Sequence, residues 1–241
     1  MICAQITDLE FSLIESKVKK SADKIGLDDR STGFLYLILD SLFPRSGEDI
    51  SSLITDGGSD RGVDAVYIQE SGNVAHISIV QSKYASTIKS AGRTFPGNEI
   101  DKLISFIRDL VDRVAGLPES VNPLLRGKIV DIWRLVDQGK MIYIHIFLVS
   151  NALPLATHER KRLDAFCSQY EFISVEELSY QSIISLISSD GRTKEDGILD
   201  TVDVQKYERA DCDIRGLVAN VDARSYIDMI SNEGGKTTSL R

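Results

Sequence analysis

Asp64, Gln81 and Lys83 are the residues of this chain whose types and spacing best suit a chemical task. Asp64 lies at the start of the apolar run Val63 to Gln69 (V-D-A-V-Y-I-Q). Gln81 and Lys83 close a second run, Val74 to Tyr84 (V-A-H-I-S-I-V-Q-S-K-Y). Both runs are β-branched and aromatic, and Ser71-Gly72-Asn73 between them is a turn signal, so together they predict a β-hairpin. Residues two apart on a strand leave the same face, which puts the Gln81 and Lys83 side chains together. One carboxylate, one carboxamide oxygen and one ammonium therefore converge at a sheet end. That set suits phosphodiester hydrolysis. Mg²⁺ takes hard oxygen donors and keeps several waters, and a bound metal acidifies an attacking water. A neighbouring lysine orients that water or neutralises the scissile phosphate.

The elements needed to position these residues are legible in the hydrophobic spacing. Leu9, Leu13, Ile14 and Val18 mark a helix over about 9–24, and Asp28 or Ser31 caps a more apolar helix from Thr32 to Phe43, stopped by Pro44. A loop rich in Gly, Ser and Asp, Arg45 to Gly62, leads into the hairpin. Two helical patterns follow, the first on Ile100, Leu103, Ile104, Ile107, Leu110 and Val111, the second on Leu124, Leu125, Ile129, Ile132, Trp133 and Val136. Met141 to Ser150 is the strongest strand, and its near-continuous apolarity predicts a central place covered on both faces. Beyond it the pattern predicts a helix over His158–Cys167, a strand over Glu171–Val175 and a helix over Val175–Ile187. Strands near 198–204 and 216–221 and a helix over Ala223–Ile230 complete the chain. The fold class is α/β, a mixed sheet flanked by helices with a C-terminal α/β extension. The expected divisions are an N-terminal helical segment (1–30), a core (31–155) and the extension (156–241).

The string I-T-D-G-G-S-D-R-G-V-D-A-V-Y-I (54–68), with I-V-Q-S-K-Y (79–84), resembles a known family. Asp64 followed by Gln81-Ser82-Lys83 is similar to the D…(D/E/Q)-x-K signature of the PD-(D/E)xK nuclease superfamily, in the Gln form of Mrr-like restriction endonucleases. The longer string resembles the N-terminal region of AIPR (abortive-infection phage-resistance) proteins. The close resemblance covers about 30 residues, and the match in element order runs over 30–150. It implies a restriction-endonuclease-like αβββαβ core and a Mg²⁺-dependent DNA endonuclease (Mn²⁺ substituting) of bacterial antiphage defence, in a chain that is the N-terminal part of a longer protein. By position, Asp64 would be the metal-binding carboxylate, Gln81 the second ligand, the Ser82 backbone carbonyl a further one and Lys83 the catalytic lysine. The superfamily's additional acid from the first core helix would be Asp40, with Glu48 as the fallback. Asp56 and Asp60 are accessory acids that could offset the neutral Gln81. Superfamily members are commonly dimeric, which implies a homodimer joined through the helices around 100–138. Two other readings fit the same residues: a ribonuclease, and a catalytically degenerate module, marked by Gln81, that binds nucleic acid or a partner protein.

Composition limits the alternatives. With 28 Lys+Arg against 36 Asp+Glu the net charge is −8, which excludes a bulk-basic nucleic-acid binder. The charge is uneven, since residues 171–241 hold 14 acids against 8 bases. The stretch from Gln81 to Arg93 holds Lys83, Lys89 and Arg93 and no acid, which makes Lys89 and Arg93 the expected nucleic-acid contacts. Cys3, Cys167 and Cys212 lie far apart, as do His76, His145 and His158, so neither a disulfide framework nor a Cys/His zinc site is expected. No run is long enough to span a bilayer and no basic-then-apolar leader opens the chain, which predicts a cytoplasmic protein. Gly234-Gly235-Lys236-Thr237 ends like a phosphate-binding loop but has Ile230 where its first Gly belongs. His158-Glu159 starts like a zinc-protease motif but meets Arg162 in place of the second His. Trp133 and Tyr143 read as core or interface aromatics.

Overall fold

The computed structural model describes residues 6–26, 29–43, 49–188, 201–208 and 215–222. Asp28, Glu48, Cys3, Cys212, the expected helix over Ala223–Ile230 and the segment around Gly234 lie outside the described residues. The chain divides into two units, 1–189 and 190–241.

The first unit begins with two packed helices. Helix α1 (Asp8–Ile25) starts in a capping box between Thr7 and Glu10 and ends at Gly26, whose φ of 70° is the left-handed conformation of a helix terminus. Its buried stripe is Phe11, Ile14, Val18 and Ala22. Leu9 and Leu13, assigned to that stripe from spacing, face solvent, because Phe11 and Ala22 set the stripe's phase. Helix α2 (Arg30–Leu42) is capped by Asp29, which accepts the Ser31 and Thr32 N–H groups. It packs on α1 through Gly33, where a Cβ would stand 2.7 Å from that of Ala22 and 3.1 Å from the Val18 carbonyl oxygen.

The sheet has the order β1-β2-β3-β4. Strands β1 (Ala65–Ser71) and β2 (Val74–Lys83) form the antiparallel hairpin, turned by Gly72 at φ 57°. Strand β3 (Met141–Ser150) runs parallel to β2, and β4 (Ile173–Leu178) parallel to β3. The β2-to-β3 crossover holds the short α3 (Ile88–Ala91), α4 (Gly97–Val111) and α5 (Pro123–Asp137). Helix α6 (Thr157–Cys167) joins β3 to β4, and α7 (Tyr180–Ser188) follows. Ahead of β1, Ile54 makes an isolated antiparallel bridge to Ala65. The unit is thus α/β, with a mixed four-stranded sheet flanked by helices. Strand β3 is internal as expected, although its first residues, Met141 and Tyr143, are exposed. Strand β4 runs to Leu178, beyond the predicted end at Val175, which leaves α7 to start at Tyr180. Because β4 continues the sheet, α6, β4 and α7 belong with residues 31–155 rather than to a separate extension.

Alternation along the strands divides the core in two. Val66, Ile77 and Ile79 pack with Ile100, Leu103 and Ile107 of α4 and Leu125 and Ile129 of α5. Ala65, Val80, Phe147 and Val149 face the other way, against Phe34, Ile38 and Leu39 of α2 and Ile183 of α7. The second unit holds an antiparallel pair, β5 (Thr201–Glu208) and β6 (Arg215–Val221). Among the described residues no helix is long and apolar enough to cross a membrane.

Two glycines test the packing. Gly33→Ala gains about 1 kcal/mol of helix propensity but forces α1 and α2 apart, an overpacking cost of about 1–3 kcal/mol. The melting temperature is expected to fall by about 2–4 °C per kcal/mol of net loss. Gly127→Ala, in α5 with nothing within 4 Å of the new Cβ, should raise stability by about 0.5–1 kcal/mol. Calorimetric melting of both variants checks the contrast.

Candidate active site

The loop before β1 is closed by its own backbone. The Thr55 and Asp56 N–H groups both donate to the Asp64 carbonyl oxygen, at 2.8 and 3.1 Å. The buried Thr55 hydroxyl donates to the Val63 carbonyl, and Asn122 at the start of α5 donates to that of Thr55. Asp60 ties the turn together by accepting the Gly62 N–H at 2.8 Å and the Gly57 N–H at 3.4 Å. Ser59 and Arg61 hold φ values of 62° and 56°, and Arg61 is anchored by Asp109 of α4 at 2.7 Å. In consequence Asp56, Asp60 and Asp64 each bring a carboxylate oxygen within 4.8 Å of the others.

Asp64 and Gln81 flank the Ala65–Val80 pair, so both project from the sheet face that α4 covers. Asp64 is 8% exposed, and its carboxylate accepts the Ser82 backbone N–H at 2.5 Å. Ser82 thus touches the cluster through its backbone N–H. Gln81 is fully buried. Its amide NH₂ donates to Glu99 Oε2 at 3.1 Å, and its carbonyl oxygen, also buried, has no hydrogen-bond partner. Lys83 Nζ lies 3.6 Å from the same Glu99 oxygen, while Lys102 and Asn98 donate to the other, each at 3.1 Å.

Glu99 is the residue that sequence reasoning missed. Its signal was its phase: Glu99, Leu103, Phe106 and Leu110 follow the 4-3-4 spacing of the buried face of α4, an acid on an apolar stripe. Asp40 is not brought to the site. It is exposed on α2, a helix that packs against the opposite face of the sheet from Gln81. Lys89 on α3 and Arg93 just after it are exposed on the connection that leaves β2. Trp133 is a packed aromatic, its indole N–H bonded to the Leu110 carbonyl, whereas Tyr143 stacks on His76 at the partly exposed end of β3.

The two buried carboxyls differ in electrostatics. Burial lifts Asp64 from an ordinary 3.8 to about 7; the Asp56 and Asp60 charges push the same way, against the Ser82 N–H and Lys83. Asp56 is raised for similar reasons, burial first and then the Asp60 charge. Glu99 is also penalised by burial, but the Lys102 hydrogen bond and the Lys83 and Lys102 charges outweigh this and hold it below the usual carboxylate range. Asp64 and Gln81 offer hard oxygens that lack cationic partners, as a small divalent cation requires.

A pH test follows from Asp64. Between about pH 4 and 7 the folded chain keeps a proton that the unfolded chain has released, so stability in EDTA falls as pH rises through that window and is flat above it. Asp64→Asn removes this loss. It should melt higher than wild type at pH 8, by about 1–3 kcal/mol of stability, with the gap closing at pH 4; a gap that ignores pH would refute the assignment. Set against family models, curated proteins and solved structures, the chain finds no match, and its own geometry carries the functional reading.

Proposed function

We propose that the first unit is a divalent-metal-dependent phosphodiesterase, a DNA endonuclease of the restriction-endonuclease-like class. The observation that carries this reading is the gathering of Asp64, Gln81 and Lys83 on one face at the end of the hairpin, with Asp56 and Asp60 beside Asp64. The element order supports it. Helix α2, the Ile54 bridge, β1, β2, the crossover helices and β3 follow αβββαβ, with the first strand reduced to a bridge. The AIPR-like string 54–68 supports a role in bacterial antiphage defence.

Asp64 and the Gln81 carbonyl oxygen, with Asp56 and Asp60, would hold Mg²⁺ or Mn²⁺. The bound ion supplies Lewis acidity toward phosphate oxygens and a more acidic water. Asp64 must release its proton to bind a cation, and a bound cation itself favours that release. The Lys83 side chain is 41% exposed at its strand end. From there its ammonium faces incoming phosphate, offsets the charge that builds up in the transition state and orients the attacking water. Lys89 and Arg93 extend the cationic surface along the connection that follows and would contact the nucleic-acid backbone. The neutral Gln81 supports a second reading, a nuclease-like fold that binds nucleic acid or a partner protein without turnover.

Supercoiled plasmid and a structured RNA, each incubated with the chain in Mg²⁺ or Mn²⁺, separate these readings. Metal-dependent nicking of DNA is expected, reduced at least about 100-fold in Asp64→Ala and Lys83→Ala. Cleavage of RNA alone would make the enzyme a ribonuclease. No cleavage, with no Mn²⁺ uptake by calorimetry, would favour the binding module. Without metal, DNA binding should be weak and should fall as salt rises, which fluorescence anisotropy in EDTA measures.

A further inference from the structure

We propose that Glu99 is a positioning residue that makes Gln81 a metal ligand, holding the amide by its NH₂ so that the carbonyl oxygen is left for the cation. This inference rests on the metal-dependent reading above and adds a residue to it. It starts from the one bare prong of a fully buried amide: Gln81 Nε2 is bonded to Glu99, and Gln81 Oε1 is out of reach of solvent with no partner. A buried acceptor in that condition is uncommon in folded proteins and calls for a cause.

Rotating the amide does not relieve it. The carbonyl oxygen would then stand about 3.1 Å from Glu99 Oε2, acceptor against acceptor. The Glu99 oxygens are also engaged as acceptors by Lys102, Asn98 and Lys83. The amide orientation is therefore locked from α4. Its seat is the site loop itself: a Cβ on Gly62 would come within 3.0 Å of Gln81 Nε2 and 3.7 Å of Cδ, and the Gly62 N–H is bonded to Asp60. The NH₂ end of the amide is thus held between Glu99 and the loop that carries Asp60 and Asp64, and the bare oxygen is the end left without a partner. Donation from the NH₂ to an anion also increases electron density on the carbonyl oxygen, as carboxylates behind metal-bound groups generally do. The negative charge missing from position 81 is in this way supplied one residue further out, from the helix.

Calorimetric titration of the full chain with MnCl₂ tests this. Wild type should bind, and Glu99→Gln should bind about 10–100-fold more weakly. Gln81→Glu alone should gain nothing, since it sets a second carboxylate against Glu99. The exchanged double variant Gln81→Glu/Glu99→Gln should recover affinity to within about threefold of wild type, a coupling that a purely structural role for Glu99 would not produce. Melting in EDTA verifies that each variant folds. Gln81→Met, which keeps volume and removes the bare oxygen, must lose affinity as well and serves if Glu99→Gln does not fold. Wild-type affinity in Glu99→Gln or Gln81→Met, or no recovery in the double variant, overturns the proposal while leaving the metal site intact. Failure of wild type itself to take up Mn²⁺ overturns both readings.

Discussion

Strand β2 cannot shift by a single residue without exchanging the two faces of the sheet. It is paired antiparallel to β1 on one side and parallel to β3 on the other, so its register is set twice. Its alternate side chains then supply both halves of the core: Ala75, Ile77 and Ile79 go to the α4–α5 side, and Val80 to the α1–α2 side. At the strand's end the same alternation turns polar. Gln81 and Lys83 must emerge beneath α4, where a hydrophobic helix face would leave both unsatisfied. Glu99 on that face resolves the conflict by accepting from one and pairing with the other.

Within one cluster, three types of neighbour give carboxylates three roles. Asp60 is occupied by backbone N–H groups and shapes the loop. Glu99 is buried, but Lys102 and Lys83 beside it hold it below the usual carboxylate range. Asp64 has burial and two other acids against it, and one N–H and a lysine in its favour, so it is the group whose charge depends on what else arrives. The overall charge of −8 says little about this region, because the local balance is decided by Lys83, Lys102 and Arg61 within a few residues' reach.

Much of the scaffold was legible in the sequence, since its periodicities are clean. The hairpin was marked by two β-branched runs around Gly72, β3 by unbroken apolarity, and α4 and α5 by their stripes. Asp64, Gln81 and Lys83 were legible because strand alternation is a local rule, and the structure places them on one sheet face. What was not legible depended on packing between distant segments. Leu9 and Leu13 fit a helical stripe as well as Phe11 and Ala22 do, and the close approach of α2 at Gly33 decides between them. Asp40 was chosen for its helix, but the layer on which α2 lies is a tertiary fact. Glu99 was passed over because an acid in the first turn of a helix is ordinary; that this one is buried depends on the strand beneath it.

The end of β3 grips the chain just where β2 finishes. The Ser150 hydroxyl donates to the Lys83 carbonyl, and the buried Asn151 side chain both accepts the Ala85 N–H and donates to the Ala85 carbonyl. The lysine is therefore fixed at its root, and its half-exposed tip pairs with Glu99. Moving the ammonium away from Glu99 is then a change of side-chain rotamer, which for an exposed side chain takes picoseconds to nanoseconds. The ammonium can therefore be re-aimed without any rearrangement of the backbone at the end of β2.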